Sequence, residues 1–151
     1  MTNTPVDPTQ ILEDFDLENF TPYRLAVAAQ KLSELLARQY RSHFGISIPD
    51  WRVLVHLTQS DGVSIRDIEA RVAMEKSKVS RAATRLEEAG LVVKTVNPGD
   101  RRLVHLALTD KGRAMMVDLL PLAEAFQDQI LEQLGETREG FEAGLDRLLK
   151  E

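Results

Sequence analysis

Along most of this chain the apolar residues recur at helical spacing, and only between Leu91 and Leu108 does their period shorten to about two. There Leu91 to Val96 and Leu103 to Leu108 are β-rich runs. Asn97-Pro98-Gly99-Asp100-Arg101-Arg102 lies between them and supplies the chemistry of a turn. One hairpin permits one small sheet, so the fold class is mainly α. With 151 residues, 43% of them apolar, the chain has the size of about one domain and enough apolar surface for a core.

The helices can be placed by their punctuation. Residues 1–19, with Pro5, Pro8 and five acids, show no sustained period and read as an extension. Thr21-Pro22 has the pattern of an N-cap followed by proline in the first turn, and behind it Leu25, Ala28, Ala29, Leu32, Leu35, Leu36 and Tyr40 mark a long helix to about His43. Gly45 ends it, and Pro49 opens a second helix with Trp51, Leu54, Val55 and Leu57 inward, stopped at Ser60-Asp61-Gly62. Ser64 caps a short third helix, with Asp67 three residues on. After a brief connection at Ala73 and Met74, a fourth runs from Glu75 or Lys76 to Ala89, with Gly90 past its end. Beyond the hairpin, Thr109 caps a long fifth helix that should bend at Pro121, and a last one follows from about Thr137.

Composition removes several classes of function. Without cysteine there is no disulfide scaffold, thiolate zinc site or thiol redox switch. His43, His56 and His105 are isolated from one another, so neither a metal centre nor a nucleophilic triad can be argued from spacing, and no cofactor or enzymatic activity is expected. No apolar run approaches the roughly 20 residues of a membrane span. The first basic residue is Arg24, which gives no targeting pattern, so a soluble cytoplasmic protein is expected.

A net charge of −5 argues superficially against nucleic acid, but the charge is unevenly distributed. From Lys76 to Arg102 there are seven basic residues against three acids, whereas the remainder holds twelve against twenty-one. Because the Debye length is about 8 Å at physiological salt, a basic surface of this kind acts nearly alone. On the fourth helix Val79, Ala82, Ala83, Leu86 and Ala89 form an inward stripe, and Lys78, Arg81 and Arg85 share the opposite face with Ser77 and Ser80 nearby. Small hydroxyls and long cations suit a major groove, where Arg and Lys reach guanine O6 and N7, and the helix start with Lys76 favours a phosphate. With the preceding helix it forms a helix-turn-helix candidate, although an ordinary solvated amphipathic helix would carry the same pattern. Arg101 and Arg102 lie at the hairpin tip, where an arginine can enter a narrow minor groove, and Asp100 is placed to orient one of them. A merely polar turn is the plainer reading.

Ser77-Lys78-Val79-Ser80-Arg81, then Leu86-Glu87-Glu88-Ala89-Gly90-Leu91-Val92, then Asp100-Arg101-Arg102 and Leu108-Thr109-Asp110-Lys111-Gly112 resemble the MarR family of bacterial transcription regulators, from about Thr21 to Lys150. The resemblance implies a winged helix-turn-helix with a two-stranded β wing, flanked by N- and C-terminal dimerisation helices. It implies a homodimer on a pseudo-palindromic double-stranded DNA operator, usually a repressor released by a small ligand. By position, Ser77, Lys78, Ser80 and Arg81 would read the major groove, and Arg101 or Arg102, partnered by Asp100, would be the wing residue. The corresponding division is an extension over 1–20, a helical dimerisation region over 21–46 and 110–151, and a DNA-binding domain over 47–109.

A physical argument also favours the dimer, because the first, fifth and sixth helices carry broad apolar faces at the two ends of the chain. Two-fold symmetry would set two recognition helices about 34 Å apart, whereas a helical monomer would bury those faces internally. Effectors of the family lie in a crevice that corresponds to Tyr23, Arg24, Tyr40, His43, Phe44, Trp51 and Arg52, residues suited to an aromatic or phenolic acid. Core packing is the competing role for Tyr40, Phe44 and Trp51. A ligand- or partner-binding helical dimer that does not touch DNA is the functional alternative.

Overall fold

The computed structural model describes residues 5–59, 62–72 and 74–150. Within them lie helices α1 (Pro8–Asp14), α2 (Thr21–Phe44), α3 (Ile48–Leu57), α4 (Ile65–Arg71), α5 (Lys76–Glu88), α6 (Asp110–Leu134) and α7 (Arg138–Leu149). The strands are β1 (Val63–Ser64), β2 (Val92–Val96) and β3 (Val104–Leu108). Ser60, Asp61 and Ala73, expected at a helix stop and in a connection, lie outside the described residues.

The chain divides into two compact units after Leu35. In the first, α1 departs from the expected irregular extension. Asp7 Oδ1 accepts the Thr9 N–H at 3.0 Å and Pro8 opens the helix, so capping and proline geometry build a turn where no apolar period announces one. Phe15 and Phe20 lie with ring centroids 5.4 Å apart, and no described residue before Leu36 is buried.

The second unit holds the core, which includes Ala37, Tyr40, Val53, Leu54, Ile68, Val79, Ala82, Ala83, Leu106, Met116 and Leu119. Ser47 and Asp50 form a full capping box at the start of α3, and Ser64 caps α4 by accepting the Asp67 N–H at 3.0 Å. Gly45 and Gly90 take the positive φ that ends α2 and α5, as their positions predict. The hairpin forms with Val92 opposite Leu108 and Val96 opposite Val104.

The sheet has a third strand where two were expected, in the order β1-β3-β2, because Val63 and Ser64 pair antiparallel with Leu106 and His105. That short strand leads directly into α4, so the helix-turn-helix and the hairpin share one sheet. α6 continues through Pro121, and a 3-10 turn over Gly135–Thr137 joins it to α7. No described residue beyond Leu119 is buried.

Candidate nucleic-acid interface

α5 is built to show one face. Val79, Ala82 and Ala83 are fully buried and Leu86 nearly so, whereas Lys76, Ser77, Lys78, Ser80, Arg81, Thr84 and Arg85 are exposed. Ser80, Arg81, Thr84 and Arg85 line a shallow, open hollow on this outer row. The small inner residues let the helix lie close to α3, with which it packs.

The cations of this region fall into two groups. Arg85 Nη2 donates to Asp50 Oδ1 at 2.9 Å, and the Asp50 side chain is only 10% exposed. Lys94 on β2 donates to Thr84 Oγ1 at 3.2 Å and stands 3.8 Å from Glu87, which places the root of the hairpin beside the outer row of α5. Arg102 pairs with Asp100. By contrast Lys76, Lys78, Arg81 and Arg101 have no carboxylate partner among the described residues. Arg85, expected on the DNA-contacting face, is therefore half exposed there but already engaged by a buried carboxylate.

At the hairpin tip the turn is closed by backbone bonds from Asp100 to Asn97 and from Leu103 to Asp100, and Asn97 Oδ1 accepts the Gly99 N–H at 2.8 Å. Asp100 Oδ1 accepts the Arg102 N–H at 3.0 Å and lies 3.5 Å from Arg102 Nε. The residue oriented by Asp100 is thus Arg102, through the single oxygen Oδ1. Its side chain remains 88% exposed.

The far end of α5 is clasped by the start of α6. Thr109 accepts the Gly112 N–H at 3.1 Å as an N-cap, donates through Oγ1 to Gly90 O at 2.6 Å, and donates through its backbone N–H to Leu91 O at 3.1 Å. Lys111 Nζ donates to Ala89 O at 2.9 Å, placing a cation at the negative end of α5. The Leu-Thr-Asp-Lys-Gly run thereby fixes where the exposed helix ends.

The residues expected around an effector behave differently from one another. Tyr40 is buried and stacks on Trp51, with ring centroids 5.7 Å apart, and Phe44 packs on the same core. Burial raises the Tyr40 hydroxyl pKa to about 12, against the opposing influence of Arg41 and Arg52, so it stays neutral. His43 is exposed beside Phe44, and Arg52 and Trp51 are half-buried. Tyr23 and Arg24 are exposed on the first unit. Asp50 is the residue that sequence reasoning passed over, although Ser47-Ile48-Pro49-Asp50 carries the same capping spacing as Ser64 to Asp67. The three histidines do not gather, and the described residues contain no cluster of His, Asp or Glu able to hold a metal. No described helix is long and apolar enough to cross a membrane.

A family model described as the MarR family matches residues 44–103, the stretch from the end of α2 to the hairpin tip. The chain is 31% identical over 103 residues to the HTH-type transcriptional regulator TtmR of Methylorubrum extorquens, covering 65% of this chain and 53% of that protein. It is 30% identical over 92 residues to the HTH-type transcriptional repressor MdtR of Bacillus subtilis, covering 61% of this chain and 59% of that protein. The chain thus spans little more than half the length of these curated relatives. Among solved structures, the MarR family regulator SPO1453 from Silicibacter pomeroyi superposes with a TM-score of 0.76 at 27% identity, covering 91% of this chain and all of that one. Like the fold described above, these relatives point one way: residues 44–103 match the MarR family, and the fold is the one seen in a solved MarR family regulator.

Proposed function

We propose that this chain is a sequence-specific double-stranded DNA-binding repressor, acting as a homodimer on a pseudo-palindromic operator in the cytoplasm and released by a small ligand. One observation carries the reading: Lys78 and Arg81 stand exposed on α5 and without a carboxylate partner among the described residues, while the inner face of Val79, Ala82 and Ala83 is fully buried. Arg81 reads a base edge in the major groove, Lys76 and Lys78 hold phosphates, and Ser77 and Ser80 allow close approach. Arg102 enters the minor groove in the direction that Asp100 sets, with Arg101 on the backbone beside it.

Homodimerisation is supported by apolar surface that the single chain leaves uncovered. Phe141, Leu148 and Leu149 are exposed on α7, and Phe126, Ile130, Leu131 and Leu134 are only half-buried on α6. A second copy related by a two-fold axis covers such faces and sets two α5 helices about one DNA turn, ~34 Å, apart. For the effector, an aromatic acid is the class that His43, Trp51 and Arg52 suit, with Tyr40 backing the Trp51 ring from the core. Selection of bound sequences from random duplexes tests the proposal. It should return an inverted repeat with half-sites one turn apart, and recovery of no enriched sequence would contradict it, leaving a dimer that binds a ligand or a protein instead.

A further inference from the structure

We propose that Arg85 is a positioning residue, and that its pair with Asp50 is a strut that sets the angle at which α5 presents Arg81 to DNA. The inference rests on the DNA-binding reading above and assigns Arg85 a role different from its neighbours on the same face. α3 and α5 pack together, and the buried face of α5 has alanine at its two central positions, Ala82 and Ala83, which interlock less than larger side chains would. A directional bond between the two helices adds to the register that this packing gives. It is the Arg85 Nη2 to Asp50 Oδ1 bond at 2.9 Å, made between residues 35 positions apart.

The carboxylate is itself held in place. Asp50 Oδ2 accepts the Ser47 N–H at 3.0 Å and Oδ1 accepts from Arg85, so each oxygen of the carboxylate has its own partner, and Ser47 Oγ accepts the Asp50 N–H at 3.3 Å. Asp50 cannot follow Arg85 outward without uncapping α3, and Arg85 cannot move to a phosphate without leaving a nearly buried charge unpaired. Lys94, bonded to Thr84 and close to Glu87, braces α5 from β2. The recognition helix is therefore tied to elements on two sides, while Lys78 and Arg81 have no carboxylate partner among the described residues.

The test compares wild type, Arg85→Met, Asp50→Asn and the double variant for affinity to a selected inverted repeat and to random duplex over a salt series. Each single change should weaken the selected site about tenfold, and the double change no further, because both remove one shared contact. The random-duplex affinity and the salt slope should stay at wild-type values, since no phosphate contact is lost. A slope shallower by about 0.9 in Arg85→Met, with Asp50→Asn unchanged or tighter, would make Arg85 a phosphate ligand and overturn the strut. Arg85→Lys keeps a cation within reach of Asp50 and should recover part of the loss, which keeps the comparison informative if Asp50→Asn folds poorly. Amide exchange in the free protein separates this proposal from the function it rests on. Exchange over residues 79–86 should quicken equally in both single variants and the double. Unchanged exchange would refute the strut whether or not DNA is bound.

Discussion

The α-carbon of Gly112 lies so close to the carbonyl of Leu91 that a methyl group there would collide with it, and Leu108 Cδ2 would be only 3.3 Å from that methyl. This contact, with the Thr109 bonds to Gly90 and Leu91, seats the first turn of α6 on the end of α5. Gly112→Ala is expected to push α6 off that seat and to destabilise the fold by about 1–3 kcal/mol, the usual cost of overpacking a site whose neighbour is backbone. A denaturant titration checks it, and an unchanged midpoint would mean that the junction yields freely.

Base reading and backbone holding separate by substitution. Arg81→Ala should cost about 1–3 kcal/mol on a selected operator and much less on random duplex, as expected for a residue on a base edge. Arg102→Ala should weaken binding mainly where the flanking sequence is A·T-rich, and Arg101→Ala more evenly. Parallel anisotropy titrations on operator and random duplex decide the assignments. Equal losses on both for Arg81→Ala would remove Arg81 from the base-reading role.

Tyr40 is 1% exposed and stacked on Trp51, which makes it part of the packing before anything else. Tyr40→Ala should cost about 3–5 kcal/mol, comparable with other large aromatic deletions from cores. Tyr40→Phe, which keeps the ring, should cost far less. Thermal melts of the two variants provide the comparison, and a Tyr40→Ala protein as stable as wild type would return the ring to a ligand-facing role.

His56 gives the fold a pH dependence of definite sign. Burial first, and Arg71 second, hold its pKa below the ordinary 6.5. Above pH 6.5 both folded and unfolded chains keep the imidazole neutral, and the full stability is present. As pH falls below that value the unfolded chain takes up the proton first, so stability drops until the folded-state value is passed. His56→Gln should flatten this part of a Tm-against-pH curve. A curve of the same slope in the variant would place the titrating group elsewhere.

How legible the molecule was depends on the range of each interaction. Ser64, Thr109 and Gly90 were readable because a cap acts within a few residues, and the inward stripe of α5 because burial imposes its period on consecutive turns. α1 was not, since none of its residues is buried and an unburied helix writes no apolar pattern. The strand at Val63–Ser64 is two residues long and exists only through its pairing with Leu106 and His105, some 40 positions away. Distance hid the Arg85 partnership in the same way: spacing put Arg85 on the outer face with Arg81, and nothing local could reveal the carboxylate waiting on α3. Ser47 and Asp50 were within reach of the rule that found Ser64.

The affinity of the folded protein for a selected duplex, measured as salt is raised, tests the central claim most directly. If Lys76 and Lys78 of α5 and Arg101 of the hairpin neutralise phosphates, the logarithm of the binding constant should fall linearly with the logarithm of salt concentration, by about 0.9 for each phosphate held. The slope should lessen by about that amount in Lys78→Ala. An affinity that does not respond to salt, or no complex at all while the protein is folded, would contradict the account.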